Sequence, residues 1–351
     1  MSRIIHHLTP TFRPHDALGT HVRSLHNLLE ENGCQSFIWS TDKGEATPAR
    51  AIKHFSASEN GQDILIYQLA IGSHLADFAL KRKELLIVNY HNITPPHYVD
   101  KWSPEMAQQL RWGRKQLTEL AERADLAIAD SEYNASELRE AGFKNVCVIP
   151  VLLEKKVATG NPRVADIEAD GTRWLFVGRM VPNKSHHDLL VTLDAYRKLY
   201  DPQATLTLLG SSLPGYEEAI RLLIEQLDLQ EAVEIKKDLS ESEKKSEFQK
   251  ADVYVSLSEH EGFGVPLLEA MSWGVPVVAL DRAAVGETVG QGGLLLNDKQ
   301  PTKVAAAINE VMNNQNTREI LIKSGYRRSL DFSQKLIAGR YLETLNPLIK
   351  A

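Results

Sequence analysis

The feature that most constrains the fold of this chain is the regular alternation of short apolar runs with longer amphipathic segments along its 351 residues. Short apolar runs are typical of buried strands, and apolar residues at every third or fourth position are typical of helices. Strands that alternate with helices form parallel sheets, because each helix carries the chain back to the end of the sheet at which the previous strand began. The pattern therefore predicts an α/β protein.

The predicted elements divide between the two halves of the chain. Strands in the first half are predicted at Ile4 to Leu8, Ser36 to Trp39, Ile64 to Gln68, Leu85 to Tyr90, Leu126 to Ala129 and Val146 to Ile149. Strands in the second half are predicted at Trp174 to Val177, Ala204 to Leu209, Val233 to Ile235, Val253 to Leu257, Val275 to Ala279 and Gly293 to Leu296. Helices are predicted at His21 to Asn32, Gly72 to Lys81, Pro104 to Ala124, Tyr133 to Ala141, Asp188 to Arg197 and Gln334 to Leu348.

Length and composition indicate two domains in an ordinary globular protein. The stretch 158–171 is charged and lacks apolar periodicity, so it is interpreted as a linker between domains 1–157 and 172–333. The net charge of -6 argues against a nucleic-acid-binding protein. Cys34 and Cys147 are the only cysteines and cannot supply a disulfide framework or a Cys-rich metal site, which favours a reducing cytosol. No apolar run approaches the length of a membrane span.

One stretch of the second half places two carboxylates around a glycine turn, in the order Glu261-Gly-Phe-Gly-Val-Pro-Leu-Leu-Glu269. Pro266 is suited to the first position of a helix, which would place Glu269 in the first turn. Gly262 and Gly264 allow a ligand to approach the backbone, and the N–H groups that begin a helix attract anions. The stretch predicts a diphosphate at the helix end, with the two carboxylates accepting hydrogen bonds from sugar hydroxyls.

Two cations follow the predicted strand Trp174 to Val177, in the segment Gly178-Arg179-Met-Val-Pro-Asn-Lys184. A cation in a loop is usually only solvated. Ligands of open α/β sheets, however, bind at the carboxyl ends of strands, which is where Arg179 and Lys184 are predicted to lie. A phosphate leaving group gains negative charge as its bond breaks, and this pair could stabilise that charge.

The whole string from Glu261 to Gly274 resembles the Glu-x7-Glu signature of retaining glycosyltransferases with the GT-B fold, in particular glycosyltransferase family 4. The resemblance implies two Rossmann-like parallel-sheet domains that face each other across a cleft, with the C-terminal helix 334–351 packing back on the first. It also implies that Glu261 holds hydroxyls of the donor sugar, that Glu269 holds those of the ribose, and that both cations contact the diphosphate. Ser185 stands where the family usually has glycine, so the sequence departs from the family at the position that shapes this turn.

The first half carries weaker signals of the same kind. Gly19 and Thr20 lie between the first predicted strand and helix, where the family has a Gly-Gly pair that touches donor phosphate and acceptor. A dinucleotide-binding protein would need three glycines at this turn, and the chain has one. His91 follows the strand Leu85 to Tyr90, and the family has a histidine on this loop that contacts the transferred sugar. The catalytic candidates are thus Arg179, Lys184, Glu261 and His91, and the nucleotide-sugar candidates are Gly19, Thr20, Gly178, Gly210, Phe263, Gly264, Val265 and Glu269.

The resemblance implies transfer of a hexose from a GDP-mannose-like or UDP-sugar donor to a hydroxyl of a glycan, lipid-linked or small-molecule acceptor, in bacterial polysaccharide or glycoconjugate synthesis. No cofactor is expected, and the lack of an Asp-x-Asp pair predicts that no metal is needed. We expect a cytoplasmic enzyme with at most weak contact with the inner membrane face through residues 101–123. An epimerase or hydrolase acting on a sugar nucleotide, a phosphorylase and a non-catalytic subunit are alternatives. No motif in the sequence identifies the donor base, the acceptor or the oligomeric state.

Overall fold

The computed structural model describes residues 3–13, 17–43, 48–58, 61–153 and 171–350, and in these ranges thirteen strands form two parallel sheets. The first sheet contains β1 (Ile5–Phe12), β2 (Ser36–Lys43), β3 (Arg50–Ala51), β4 (Ile64–Leu69), β5 (Leu85–Tyr90), β6 (Leu126–Ala129) and β7 (Val146–Val148). The second contains β8 (Arg173–Val177), β9 (Thr205–Leu209), β10 (Val233–Lys236), β11 (Val253–Ser256), β12 (Val277–Leu280) and β13 (Leu294–Leu296). The predicted fold class of two parallel-sheet α/β domains is confirmed.

Helices connect the strands in both halves. Those of the first half are α1 (Ala17–Glu31), α2 (His74–Leu80), α3 (Pro104–Arg123) and α4 (Glu132–Glu140). Those that follow are α5 (His186–Leu199), α6 (Pro214–Gln226), α7 (Glu241–Lys250), α8 (Val265–Ser272), α9 (Val285–Val289), α10 (Pro301–Asn313), α11 (Gln315–Leu330) and α12 (Gln334–Lys350). Among the described residues, no helix has the length and apolar content needed to cross a bilayer.

The chain divides into two compact units. The first contains residues 1–96, 105–155 and 332–351, and the second contains residues 97–104 and 156–331. Except for Gly171, the predicted linker 158–171 lies outside the described residues. Within the second unit, the ring of Trp102 packs edge-on against Tyr216, with 5.1 Å between the ring centroids.

Helix α12 forms part of the hydrophobic core of the first unit. Its buried side chains Ile337, Tyr341, Leu345 and Ile349 pack with apolar residues of β1, α1, β4 and β5. The Tyr341 hydroxyl also donates a hydrogen bond of 3.2 Å to Oδ1 of Asn89 in β5. The buried apolar stripe of α12 explains why the sequence predicted a helix here.

Strand order places the candidate residues. The first sheet has the order β3-β2-β1-β4-β5-β6-β7, and the second has β10-β9-β8-β11-β12-β13. The direction of chain progression reverses between β1 and β4 and again between β8 and β11. Ligands of open parallel sheets bind beyond the carboxyl ends of strands at such a reversal. In the second unit, a ligand site is therefore expected at the loops that follow β8 and β11.

Helix α3 is a core helix, and most of its charged side chains are exposed. Leu110, Leu117 and Leu120 are buried. Of its cations, Arg114 pairs with Glu137 at 3.2 Å and Lys115 with Glu119 at 3.5 Å. These partners reduce the positive charge that the helix presents to its surroundings.

Candidate functional site

The loop after β11 enters α8 through a glycine in the left-handed region. Gly264 caps α8 with a φ of 92°, a conformation that costs glycine nothing and other residues of the order of 1 kcal/mol or more. The helix begins at Val265, so Pro266 is its second residue. Glu269 consequently lies beyond the first turn, and the prediction that placed it there was wrong because α8 begins one residue earlier than expected.

An ion pair joins the loops that follow β8 and β11. The Lys184 ammonium lies 2.6 Å from Oε1 of Glu261, and each side chain is 17% exposed. The same ammonium donates a hydrogen bond of 3.2 Å to the His260 carbonyl. Asn183 donates to that carbonyl as well, and its own carbonyl accepts from Glu259 N at 2.8 Å. One predicted cation and one predicted carboxylate are thus in direct contact on adjacent strand ends.

Ser185 adopts the backbone conformation that a glycine would favour. Its φ is 53° and its ψ is 41°, so it lies in the left-handed region at the start of α5. The side chain is fully buried, and its hydroxyl has no hydrogen-bond partner among the described residues. The turn that follows Lys184 is therefore left-handed although serine occupies it, at an expense of roughly 1 to 2 kcal/mol for the non-glycine residue.

Gly178 and Gly210 lie against each other at the carboxyl ends of β8 and β9. A Cβ atom on Gly210 would lie only 2.3 Å from the Gly178 carbonyl oxygen, and Gly210 has a φ of 147°. Hydrogen bonds of Met180 N to the Ser211 carbonyl and of Leu213 N to the Met180 carbonyl connect the two loops. Arg179 projects from this region with an exposed side chain. Close backbone packing explains why glycine is needed here.

Glu269 is buried and paired with a lysine that sequence reasoning missed. Its side chain is 8% exposed, and Oε1 lies 2.6 Å from the Lys244 ammonium of α7. Oε2 has no hydrogen-bond partner among the described residues. Burial raises the pKa of the Tyr254 hydroxyl well above its ordinary value, and the charges of Glu261 and Glu269 raise it further. Both carboxylates are therefore close enough to the buried Tyr254 hydroxyl to raise its pKa.

Phe263 and Val265 lie between the two carboxylates, where the loop leads into α8. Phe263 is buried, and its carbonyl accepts a hydrogen bond of 2.5 Å from the Thr288 hydroxyl. Val265 is half-buried at the start of α8. The Thr288 contact fixes the loop from the side of α9.

In the first unit, His91 lies in a buried polar cluster after β5. Its Nδ1 is 2.8 Å from Oδ2 of Asp130, and its Nε2 is 2.7 Å from Oε1 of Gln68. The side chain is 9% exposed. The ring of His21 packs edge-on against it at 5.1 Å, and burial lowers the pKa of His21 well below its ordinary value. Sequence reasoning missed Asp130 and Gln68, although both lie at strand ends and the rule that selected His91 would have found them.

Gly19 and Thr20 lie inside α1. The helix begins at Ala17, four residues before the predicted start, so the expectation of a loop at these two positions was wrong. The early start has a packing reason, since Leu18 rests on a small buried cluster that contains Phe12 and Val22. Thr20 is itself buried.

The described residues contain no group of three or more His, Cys, Asp or Glu side chains arranged to hold a metal ion. Independence from metal remains a prediction.

Comparison with known proteins finds glycosyltransferases among the relatives of this chain. Residues 161–328 match the family described as "Glycosyl transferases group 1". The chain is 26% identical to O-antigen chain mannosyltransferase B of Escherichia coli, over 72% of this chain and 68% of that protein. It is 30% identical to the GDP-mannose:cellobiosyl-diphosphopolyprenol alpha-mannosyltransferase of Xanthomonas oryzae pv. oryzae, over 49% of this chain and 46% of that protein. The chain thus spans about half to two thirds of these relatives.

Solved structures share the architecture over nearly the whole chain. Sucrose-phosphate synthase from Thermosynechococcus elongatus superposes with a TM-score of 0.79 and 19% identity, covering 99% of both chains. Anabaena HepE, crystallised with UDP and glucose, superposes with a TM-score of 0.76 and 19% identity, covering 98% of this chain and 99% of that one. The fold is GT-B. Together with the family match, these findings support the identification of the protein as a glycosyltransferase.

Proposed function

We propose that this protein is a retaining, metal-independent hexosyltransferase of glycosyltransferase family 4. Its donor would be a nucleotide-diphosphate sugar, GDP-mannose-like or a UDP-sugar, and its acceptor a hydroxyl of a glycan, lipid-linked or small molecule. The observation that carries this proposal is the contact of Lys184 with Glu261, next to the glycine turn that leads to the buried Glu269. The named mannosyltransferases among the relatives support a mannose donor and a role in surface polysaccharide synthesis.

In the proposed reaction, the donor diphosphate binds where α8 begins, and Arg179 and Lys184 stabilise its charge. Phosphate oxygens compete with Glu261 for the Lys184 ammonium, so the carboxylate becomes available to the hydroxyls of the sugar. The bond between the anomeric carbon and the phosphate oxygen breaks as the acceptor oxygen bonds to the same face. The departing phosphate oxygen takes the acceptor proton, so positioning and charge stabilisation supply the catalysis. His91, oriented by Asp130, is the residue of the first unit that we expect to contact the transferred sugar.

The proposal is tested first by ligand binding and then by product analysis. Selective binding raises the apparent stability by mass action, so a thermal-shift screen against GDP, UDP, ADP and their common sugars should single out one nucleotide. With that donor and an acceptor, NMR of the product should show the anomeric configuration of the donor, and a chelator should leave the rate unchanged. An inverted product would contradict retention, and activity lost in EDTA and restored by manganese would contradict independence from metal.

Product analysis without acceptor separates the alternative. When no acceptor is present, a hydrolase would consume the sugar nucleotide and an epimerase would bring it to equilibrium with its epimer, whereas a transferase would show only slow hydrolysis. Conversion that does not depend on any acceptor would therefore favour the alternative.

The two carboxylates should respond differently to substitution. Glu269→Ala should weaken binding of the free nucleoside diphosphate by about 1 to 3 kcal/mol, because the ribose hydroxyls lose a buried partner. Glu261→Ala should leave that affinity largely unchanged and lower turnover, because its expected partner is the sugar. Calorimetry with nucleoside diphosphate, combined with steady-state rates, measures both effects. Equal loss of nucleotide binding in the two variants would show that the roles are divided wrongly.

Peripheral contact with the membrane stays a prediction. Trp102 is exposed, and α3 carries Arg111 and Lys115 on its solvent side. The contact should be weak, since Glu119 already pairs with Lys115. It should also be sensitive to salt, because it would depend on attraction between the cations and anionic headgroups.

A further inference from the structure

Two neighbouring lysines of α7 contact α8. The ammonium of Lys244 lies 2.6 Å from Oε1 of Glu269. The ammonium of Lys245 lies 4.8 Å from the ring centroid of Trp273, the residue that follows α8. The start of α7 is fixed by a capping box between Ser240 and Glu243. Because the helix is held at its start and by both lysines, the Lys244 ammonium has a defined position relative to Glu269.

This ion pair accounts for only one oxygen of Glu269. The side chain is almost completely buried, and Oε2 has no hydrogen-bond partner among the described residues. A buried acceptor without a donor is unfavourable, and each one in a native protein calls for an explanation. An ion pair that served only to join α7 to α8 would explain Oε1 and leave Oε2 unexplained. The donor must therefore come from outside the described residues, from water in the free protein and from a ligand when one is bound.

The chemistry of the carboxylate restricts what that molecule can offer. An ionised carboxylate only accepts hydrogen bonds, so the ligand must supply an O–H or N–H group. Diphosphate oxygens supply neither and would be repelled by a second negative charge. The hydroxyls of a ribose are suitable donors. Their pairing with Glu269 follows from the proposed function, on which the present inference rests.

We infer that Lys244 is a positioning residue that holds Glu269 through Oε1 and thereby presents Oε2 to a ribose hydroxyl of the nucleotide. A glutamate side chain held in one conformation before binding loses less freedom when the ligand arrives. The ammonium also compensates a carboxylate charge that has little contact with water. Lys244 itself does not contact the nucleotide.

The test compares ribose and dideoxyribose nucleotides in matched lysine variants. Calorimetry should measure GDP and UDP, together with their 2′,3′-dideoxy analogues, on the wild type, Lys244→Met and Lys245→Met. The wild type should prefer its ribonucleotide over the dideoxy form by about 10-fold to 100-fold, as expected for a hydrogen bond to a charged group. Lys244→Met should narrow this preference to about threefold or less by weakening the ribonucleotide alone. Lys245→Met should retain the preference, and Lys244→Arg should restore much of it.

A second set of variants separates positioning from general stability. If Lys244 acts through Glu269, Lys244→Met should cause no further loss in a Glu269→Gln background. Equal weakening of ribose and dideoxyribose nucleotides by Lys244→Met would overturn the inference, as would the same narrowing in Lys245→Met. A wild type that binds a nucleoside diphosphate without preferring the ribose form would overturn the inference but leave the proposed transferase in place. A wild type that binds no nucleoside diphosphate would overturn the proposed function itself.

Discussion

Replacing Arg179 or Lys184 with alanine should lower the maximal transfer rate by about two orders of magnitude or more. Loss of one preorganised charge-stabilising donor has an effect of that size in other enzymes. In this chain Lys184 is also the partner of Glu261, so its removal leaves that carboxylate without its contact. Steady-state rates with saturating donor and acceptor measure the effect.

A matched control for these variants is Lys198→Ala. Lys198 belongs to the same unit, has a largely exposed side chain and pairs only with Asp194 on its own helix among the described contacts. The control should keep the wild-type rate. A maximal rate within threefold of the wild type in both Arg179→Ala and Lys184→Ala would rule out charge stabilisation of the leaving group by this pair.

Acidification from pH 7.5 to pH 5 should destabilise the protein through its buried histidines, two of which, one in each unit, can be tested separately. Burial lowers the pKa of His7 in β1 and of His186 at the start of α5 to about 3. Neither ring has a hydrogen-bond partner among the described residues. The unfolded chain takes up protons below the ordinary histidine pKa of about 6.5, whereas the folded protein does not. The stability is therefore complete above pH 6.5 and falls as the pH decreases towards 3.

At pH 5 the expected loss is about 2 kcal/mol of unfolding free energy for each of these histidines. Urea unfolding at both pH values, with His7→Leu and His186→Leu, measures it as the difference between each variant and the wild type. Each variant should lose about 2 kcal/mol less than the wild type. His74→Ala, which removes a largely exposed ring, should behave as the wild type. Identical pH dependence in all four proteins would contradict the assignment.

Much of the fold was predictable because it depends on periodicity. The bounds of β5 and β6 were predicted to the residue, since β6 is an unbroken apolar run and β5 is apolar except for Asn89. β3 was missed because Arg50–Ala51 is too short to show any period. The start of α1 was misplaced because Gly19 suggested a loop, whereas tertiary packing of Leu18 favours helix.

The candidate site was predictable where chemistry coincides with a strand end. Lys184 was selected by its place after β8 and Glu261 by the glycine turn before α8, and the structure places the two side chains in contact. Neither pattern could reveal Lys244, which lies on a helix 25 residues before Glu269 and has no motif of its own. Such a partner is determined by how two helices pack, and a local pattern contains no information on that packing.

The packing of α12 has a consequence for the order of events during synthesis on the ribosome. The strands of the first unit emerge early, yet four of its core side chains come from a helix that is translated after the whole of the second unit. Domains usually fold in the order in which they are made. Here the second unit can close its core first, while the earlier-made sheet keeps an apolar face uncovered until α12 arrives. A chaperone that binds such an apolar face would therefore bind the nascent chain and not the folded protein.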